Sequence, residues 1–383
     1  MKHLLTEEEH RDHADLVRRV TETWAASAAD WERAGTLPAP VVRWCAEQGL
    51  MGAALPAEFG GGGSTAVRTG LRYEALGRIS ASLASLVNVH GMAAQTLVRW
   101  GTEHQWHKVL PALAAGERVA AICMTETGAG SDLSGIRTEL APGADGRWRL
   151  DGTKVFITFG GLADVFLVFA QREGRSVACL VDREHPGVTT HPMGDVLGLR
   201  AADLARVEFA DCEIPAEHIV GTEGLGLHFL VPQALEHGRH AVAWMALGML
   251  QASFDAVTAF VSGRRTFGRD LIEHGQIQSL LTRMGTDLEA SKLMCVTASR
   301  AVDEGRLDAS DRILMAKYFV CRVLEEHSAA AVQVLASRGV LEEGIAARAY
   351  RDSKVLNIIE GTTQIIERML APALLRAAAS GGA

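Results

Sequence analysis

The residues best placed to do chemistry lie near the C-terminus, in the run Arg351-Asp352-Ser353-Lys354-Val355-Leu356-Asn357-Ile358-Ile359-Glu360-Gly361-Thr362-Thr363-Gln364-Ile365. It begins basic and polar, turns apolar, and then sets one carboxylate between Ile359 and Gly361. A carboxylate behind two isoleucines has poor access to water, so its charged form is disfavoured and its pKa rises. That is how a protein makes a general base able to work near neutral pH. Gly361 allows close backbone approach to whatever sits beside Glu360. Ile365, Ile366, Met369 and Leu370 recur at helical spacing, which predicts a helix starting here with Glu360 at its entrance. A solvated glutamate capping that helix is the competing reading, and this stretch taken alone favours it; the rest of the chain reverses that judgement.

Four other stretches carry functional chemistry in outline. Met124-Thr125-Glu126-Thr127-Gly128-Ala129-Gly130-Ser131-Asp132 follows a short apolar run. Its small residues leave backbone N–H groups open, as a pyrophosphate requires, and Thr125 and Ser131 add hydroxyls. In Lys154-Val155-Phe156-Ile157-Thr158-Phe159-Gly160-Gly161, strand alternation sets Phe156 and Thr158 on one face. A ring beside a hydroxyl suits a flat ligand with one polar edge; a half-buried strand is the alternative. Arg264-Arg265-Thr266-Phe267-Gly268 ends a helix, where the arginines could hold a diphosphate and Phe267 could stack on a base. Cations offsetting a helix dipole are the plainer account. Val332-Gln333-Val334-Leu335-Ala336-Ser337-Arg338-Gly339 reads by itself as a helix ending at glycine.

These stretches sit in three kinds of sequence. Residues 1–118 read as helical, with Pro38 and Pro40 as breaks and Gly60-Gly61-Gly62-Gly63 as a plain flexible turn, since no P-loop Gly-Lys-Ser/Thr follows. Residues 119–225 read as a compact antiparallel β-domain, including two strands joined through Asp151-Gly152. Residues 226–383 read as long helices with brief joins, the pattern of an up-down four-helix bundle, ending in a frayed Ala377–Ala383 tail. The fold class is therefore mainly α with a central antiparallel β-domain.

The chain of 383 residues is 48% apolar and only 5% aromatic, so its core is aliphatic. A net charge of −8 with both signs dispersed argues against nucleic-acid binding. Six scattered cysteines without a CxxC read as reduced thiols of a cytoplasmic protein. No run of about eighteen apolar residues predicts a membrane span, and Met1-Lys2-His3-Leu4-Leu5 lacks a signal-peptide core. The pairs His10/His13 and His104/His107 read as solvated helix faces rather than metal sites.

Taken in order, TETGAGSD, KVFITFGG, Gly198-Leu199-Arg200, Asp211-Cys212-Glu213-Ile214-Pro215, RRTFG, AVQVLAS and RDSKVLNIIEGTTQI strongly resemble the acyl-CoA dehydrogenase family of flavoproteins, over about residues 40–372. The resemblance implies a helical N-terminal domain, a β-domain and a C-terminal four-helix bundle. It implies FAD held between the last two and completed by a neighbouring subunit of a homodimer or homotetramer. It puts Glu360 at the catalytic base, whose backbone N–H meets the thioester carbonyl together with a ribityl hydroxyl of FAD. It aligns Thr158 with the hydroxyl at flavin N5 and Phe156 with an aromatic packed on the ring. Met124, Thr125, Gly130 and Ser131 align with flavin and pyrophosphate contacts, with Ser131 also beside substrate. Arg264, Phe267 and Gln333 align with residues reaching the FAD of the adjacent subunit, Ser337 with a cofactor contact, and Thr362 and Gln364 with contacts after the base. Arg239 and Gly361 align with the thioester end of the site. Some members carry the base immediately before that arginine; Gly238 stands here, which leaves Glu360 alone.

The implied reaction is α,β-dehydrogenation of an acyl thioester, with the α-proton taken by Glu360, hydride passed to flavin N5, and electrons then passed to an electron-transfer flavoprotein. Ala234-Leu235-Glu236-His237-Gly238-Arg239 and Ile358-Ile359-Glu360-Gly361 resemble a branch from antibiotic pathways that acts on groups tethered to an acyl carrier protein, including a hydroxymalonyl unit. An oxygen-using flavin monooxygenase on the same fold and a non-catalytic relative are the rival readings.

Overall fold

The structure, a computed structural model, describes residues 4–143 and 145–380. The N-terminal part is helical: α1 (Glu7–Trp24), α2 (Ala28–Ala34), α3 (Ala39–Glu47), α4 (Ala66–Gly77), α5 (Ala81–Trp100), α6 (Glu103–Lys108) and α7 (Leu110–Ala114). Thr6 starts α1 with a capping box, accepting from Glu9 N–H while the Glu9 carboxylate takes Thr6 N–H. Pro38 and Pro40 do not merely interrupt the chain. Pro38 is the residue before α3 and Pro40 lies in its first turn, where a missing N–H costs nothing. The glycine-rich segment is tied down rather than loose: Gly62, Gly63 and Ser64 N–H groups donate to Gly52, Leu55 and Ala53 carbonyls at 3.0, 2.8 and 2.9 Å.

Strand structure follows: β1 (Ala120–Cys123), β2 (Glu139–Pro142), β3 (Trp148–Ile157), β4 (Val165–Arg172), β5 (Arg175–Asp182), β6 (Val188–Pro192), β7 (Ala205–Ile214) and β8 (Ile219–Val220). They form one sheet in the order β6-β7-β3-β2-β4-β5-β8, mainly antiparallel, with β1 added to β4 in parallel register. Asp151-Gly152 is not a hairpin turn. It lies inside the continuous strand β3, where a register shift against β7 between Leu150 and Gly152 absorbs the glycine. Asp-Gly without a reversal of the hydrophobic pattern is a bulge, and the pairing partner β7 was too distant in sequence to reveal it.

The C-terminal part holds α8 (Val231–Ser262), the short ribbon β9 (Arg265–Thr266) and β10 (Arg269–Asp270), α9 (Gly275–Asp303), α10 (Ala309–Leu335), α11 (Ile345–Leu356) and α12 (Thr363–Ser380). The predicted fray from Ala377 is helical to Ser380; residues 381–383, like Met1-Lys2-His3, lie outside the described residues.

The spine of the molecule is α8. With the turn before it, it is long and apolar enough to cross a membrane by length and composition alone. Here Gly238 through Leu250 are instead buried in the protein core. Close approach to α4 explains much of that burial: a Cβ on Gly70 would fall 2.2 Å from the Trp244 ring, and one on Gly248 would fall 2.1 Å from the Glu74 carbonyl. Only glycine permits that spacing. Trp244, fully buried, donates its indole N–H to Ser299 on α9 at 3.0 Å. Thus α8 is clamped between the N-terminal helices and the bundle, which fixes Gly238 and Arg239 rigidly.

Candidate active site

Glu360 lies in the turn between α11 and α12, three residues ahead of the helix that the sequence set it against. Its backbone is left-handed, with φ +55°, and Gly361 follows at φ +96°. A non-glycine residue held there stores strain, which proteins keep mostly at functional positions. Two cations hold the turn. Arg239 Nε donates to the Glu360 carbonyl at 3.0 Å, and Lys317 Nζ donates to the Gly361 carbonyl at 2.7 Å. Both side chains are buried. With its carbonyls so engaged, the turn leaves the Glu360 N–H donating to no protein acceptor among the described residues.

The Glu360 carboxyl rests on α8. A Cβ at Gly238 would fall 2.6 Å from its Cδ, so the helix surface there must be glycine for the carboxyl to sit as it does. The carboxylate makes no hydrogen bond or ion pair among the described residues. Burial therefore dominates and lifts its pKa to about 7, although the charges of Arg239 and Lys317 pull the other way. Burial likewise pushes the Lys317 ammonium and Arg239 guanidinium below their usual ranges. Sequence reasoning missed Lys317; the one signal was a lysine in the apolar face of α10. It also missed Tyr73 and His237, whose Oη and Nε2 meet at 3.0 Å one residue from Gly238.

The TETGAGSD segment leaves β1 and is held from beneath. Lys154, fully buried in β3, donates to the Met124 carbonyl at 3.0 Å and to Glu126 at 2.8 Å. Glu126 also accepts from Arg137 N–H, Thr138 N–H and the Thr138 hydroxyl. Burial alone would raise the Glu126 pKa, but these donors win and bring it to about 2. Above this base the loop is open. Thr127, Gly128, Gly130 and Ser131 are exposed, and a Cβ on Gly128 would meet nothing within 4 Å. The N–H groups of Gly130 and Ser131 reach no protein acceptor among the described residues. Phe156, at the end of β3, is 59% exposed with φ +57°, and Thr158 is partly buried with no hydrogen bond among the described residues. Val155 N–H donates to the Thr125 carbonyl at 2.9 Å, which joins the end of β3 to this loop, so an aromatic ring held out to solvent, open N–H groups and an unused hydroxyl fall in one part of the molecule, which fits a planar cofactor with a diphosphate.

The remaining predicted residues divide. Thr362 accepts from Ile365 N–H at 3.3 Å and so caps α12, while Gln364 is exposed. Arg264, at the far end of α8, lies over the Phe260 ring at 5.3 Å, and Arg338 lies over the same ring at 5.7 Å. Gln333 and Ser337 are exposed on the adjoining end of α10 and the turn after it, and Phe267 is 97% exposed with φ +51°. Along α8 the span from Gly238 to Ser262 is about 36 Å at 1.5 Å per residue. The Arg264 patch and Glu360 are therefore separate places on one chain. RDSK and Gly198-Leu199-Arg200 do meet: Leu199 N–H donates to Asp352 at 2.7 Å, tying the β-domain to α11.

The helical, β and helical parts, the free carboxyl on α8 and the open Gly-Ser loop define a class of flavin-dependent acyl-thioester oxidoreductase. Residues 7–117, 121–212 and 225–375 match the family models "Acyl-CoA dehydrogenase, N-terminal domain", "middle domain" and "C-terminal domain". An acyl-CoA dehydrogenase of Bacillus subtilis (strain 168) is 31% identical over 368 residues, 94% of this chain and 96% of that protein. The chain belongs to the acyl-CoA dehydrogenase family. Among solved structures, a glutaryl-CoA dehydrogenase from Mycobacterium smegmatis in complex with FADH2 has a TM-score of 0.92 at 27% identity, covering 98% of this chain and 96% of that one. FkbI, described as acting in biosynthesis of the methoxymalonyl extender unit of the polyketide immunosuppressant Fk520, is 31% identical with a TM-score of 0.87, covering 94% of this chain and 99% of that one. The cofactor of this family is FAD, and the open loop, Phe156 and Thr158 fit it.

Proposed function

We propose that this protein dehydrogenates the Cα–Cβ bond of an acyl thioester, with Glu360 as the general base. The observation that carries this reading is the Glu360 carboxyl itself: pressed on Gly238, without a hydrogen-bond partner among the described residues, and lifted to about 7. A group so poised is half ionised at neutral pH and is strong enough to take an α-proton. The Glu360 N–H donates to the thioester carbonyl oxygen and acidifies that proton by stabilising the developing enolate, as an oxyanion hole does. Arg239 and Lys317 hold the turn so that carboxyl and N–H address the same substrate. FAD, when bound, supplies the acceptor for the β-hydride. With FAD bound, the loop Thr125–Ser131 would hold its pyrophosphate, Phe156 would pack on its ring and Thr158 would donate to it.

Arg264, Phe267 and Gln333 serve the same cofactor in a neighbouring subunit, Arg264 standing just beyond the end of α8, whose length from Gly238 to Ser262 is about 36 Å. The enzyme is accordingly a homo-oligomer, divided as 1–118, 119–225 and 226–383, working in the cytoplasm and passing electrons to an electron-transfer flavoprotein. The likeness to FkbI favours a second reading of the carrier, an acyl carrier protein of secondary metabolism in place of CoA.

Glu360→Gln tests the base. The variant keeps side-chain size and backbone N–H, so it should fold, stay yellow and bind thioester. Anaerobic mixing with substrate should bleach the flavin about 10²–10⁴-fold more slowly than in wild type. Bleaching at the wild-type rate would exclude Glu360 and remove the main reason for preferring dehydrogenation over oxygen chemistry.

A further inference from the structure

At the end of α11 opposite to Glu360 lies an open cleft of about 420 Å³. Its walls are the turn between α1 and α2, part of α2, the residues just after α4 and the first turn of α11. Ala25, Ala26 and Ala29 form one side, so side chains do not fill the space. Arg348 of α11 lines the cleft although it is only 7% exposed. Its Nη2 donates to the Ile79 carbonyl at 2.8 Å. Its Nε and Nη1 reach no acceptor, and no carboxylate lies within 4 Å of the guanidinium, among the described residues. Both of these nitrogens border open space rather than protein. Burial pushes the guanidinium below its usual range, although Asp352 and Glu32 pull the other way. Those two carboxylates are engaged elsewhere: Asp352 with Leu199 N–H at 2.7 Å, and Glu32 with the Ser82 hydroxyl at 3.0 Å and Arg200 N–H at 3.2 Å. A buried cation held by one neutral carbonyl is costly unless something else compensates its charge.

A second set of donors faces the same space. The N-cap of α11, Gly344, offers no side chain to the helix start. The N–H groups of Ile345, Ala346 and Ala347 reach no acceptor among the described residues, and Ile345 lines the cleft. An uncapped helix start presents unpaired donors and the positive end of the helix dipole. The remaining charges are matched or out in solvent. Arg78 holds Glu74 at 2.8 Å and Arg33 holds Asp30 at 2.7 Å. Glu343 is exposed and makes no ion pair among the described residues. Among the described residues no aromatic side chain lines the cleft, so nothing there would stack on a nucleotide base.

We propose that this cleft binds a phosphate-class oxyanion, with the free edge of the Arg348 guanidinium and the open N–H groups of α11 as its donors. A tetrahedral oxyanion takes a guanidinium edge in a two-bond fork and still has oxygens for a helix start. A carboxylate, with two oxygens, serves donors on two sides less fully. The site is separate from the dehydrogenation centre, since the length of α11, about 18 Å, lies between them.

The test is calorimetry on the flavin-loaded protein, so that the cofactor's own diphosphate site is filled, in buffer free of phosphate and sulfate. Inorganic phosphate should bind at one site per chain, at least about tenfold more tightly than acetate or chloride. Glycerol 3-phosphate binding as well or better assigns the site to a phosphorylated metabolite, and its exclusion assigns the site to the free ion; each supports the proposal. Arg348→Gln should weaken phosphate at least about tenfold, and Arg348→Lys less, because it keeps the charge but not the fork. Arg348 also ties the Ile79 carbonyl, so Ala26→Glu serves if Arg348→Gln does not fold. That exposed turn position sets a carboxylate against the cleft and should weaken phosphate at least about tenfold while melting temperature and flavin content stay unchanged. Glu343→Gln removes the exposed carboxylate and should tighten binding about two- to threefold. Phosphate binding no tighter than acetate, or an affinity that Arg348→Gln and Ala26→Glu leave alone, overturns the proposal.

Discussion

Gly238→Ala is the smallest change that should disable this enzyme without unfolding it. The added Cβ would stand 2.6 Å from Glu360 Cδ and 2.7 and 2.9 Å from its two oxygens, whereas ordinary contact begins at 3.4 Å. The carboxyl must therefore retreat by about 0.8 Å. It is the free end of a side chain with no hydrogen-bond partner among the described residues, so the retreat is mechanically cheap. Alanine also gains about 1 kcal/mol of helix propensity over glycine inside α8, which offsets the crowding. Stability should then change by less than about 1 kcal/mol, seen as a melting temperature within a few degrees of wild type. Activity responds differently, because a displacement near 1 Å from the reacting geometry costs on the order of 10²-fold. Stopped-flow flavin bleaching at saturating thioester, with calorimetry to show that substrate still binds, measures the loss. Bleaching at the wild-type rate would mean that the base does not work from its place against α8, and the reasoning would fail. A collapsed melting temperature would mean that α8 cannot absorb the methyl group, which would refute the claim that the carboxyl is the part that moves.

The rate of flavin bleaching should rise with pH through about 7, since only ionised Glu360 takes a proton; two units lower about 1% is ionised, so the rate at pH 5 should be about 100-fold down, and a flat profile from pH 5 to 9 would contradict the assignment. The same shift has a stability sign: the folded pKa lies above the usual 4.5, so the group favours the fold below about 4.5, and that contribution is lost as pH rises through 7. Glu360→Gln should accordingly melt higher than wild type at pH 8 and alike at pH 4, by at most about 3 kcal/mol before solvent reaching the carboxyl reduces it. Thr158→Val should slow bleaching about fivefold, the worth of one neutral hydrogen bond near 1 kcal/mol, with thioester affinity retained; unchanged kinetics would remove Thr158 from the cofactor's edge. Arg264→Ala should weaken FAD retention and oligomer together, read by flavin absorbance and sedimentation, and a fully flavinated monomer would refute a cofactor shared between subunits.

Much of this molecule is written in short stretches of sequence. Apolar periodicity delimits α8, α10 and α11 to within a few residues because a helix satisfies its hydrogen bonds locally. The ordered motifs carry the family because each is a loop or helix end whose residue types follow from local needs: small residues where N–H groups must stay open, a left-handed Glu-Gly turn at Glu360-Gly361. The raised pKa of Glu360 does not come from the two isoleucines before it, since Ile358 is 54% exposed; it comes from the packing of the carboxyl against Gly238 on α8. What sequence withheld depends on residues far apart in the chain. Asp151-Gly152 reads as a hairpin until β7 is seen to run alongside and turn it into a bulge. Lys317 reads as an ordinary lysine until α10 brings its ammonium to the Gly361 carbonyl, 44 residues away. Gly238 reads as the loss of a base, whereas the fold makes it the surface that receives one. Burial and the absence of a partner decide the chemistry at each of these places, and both are properties of the packed chain, set by which distant segments come together.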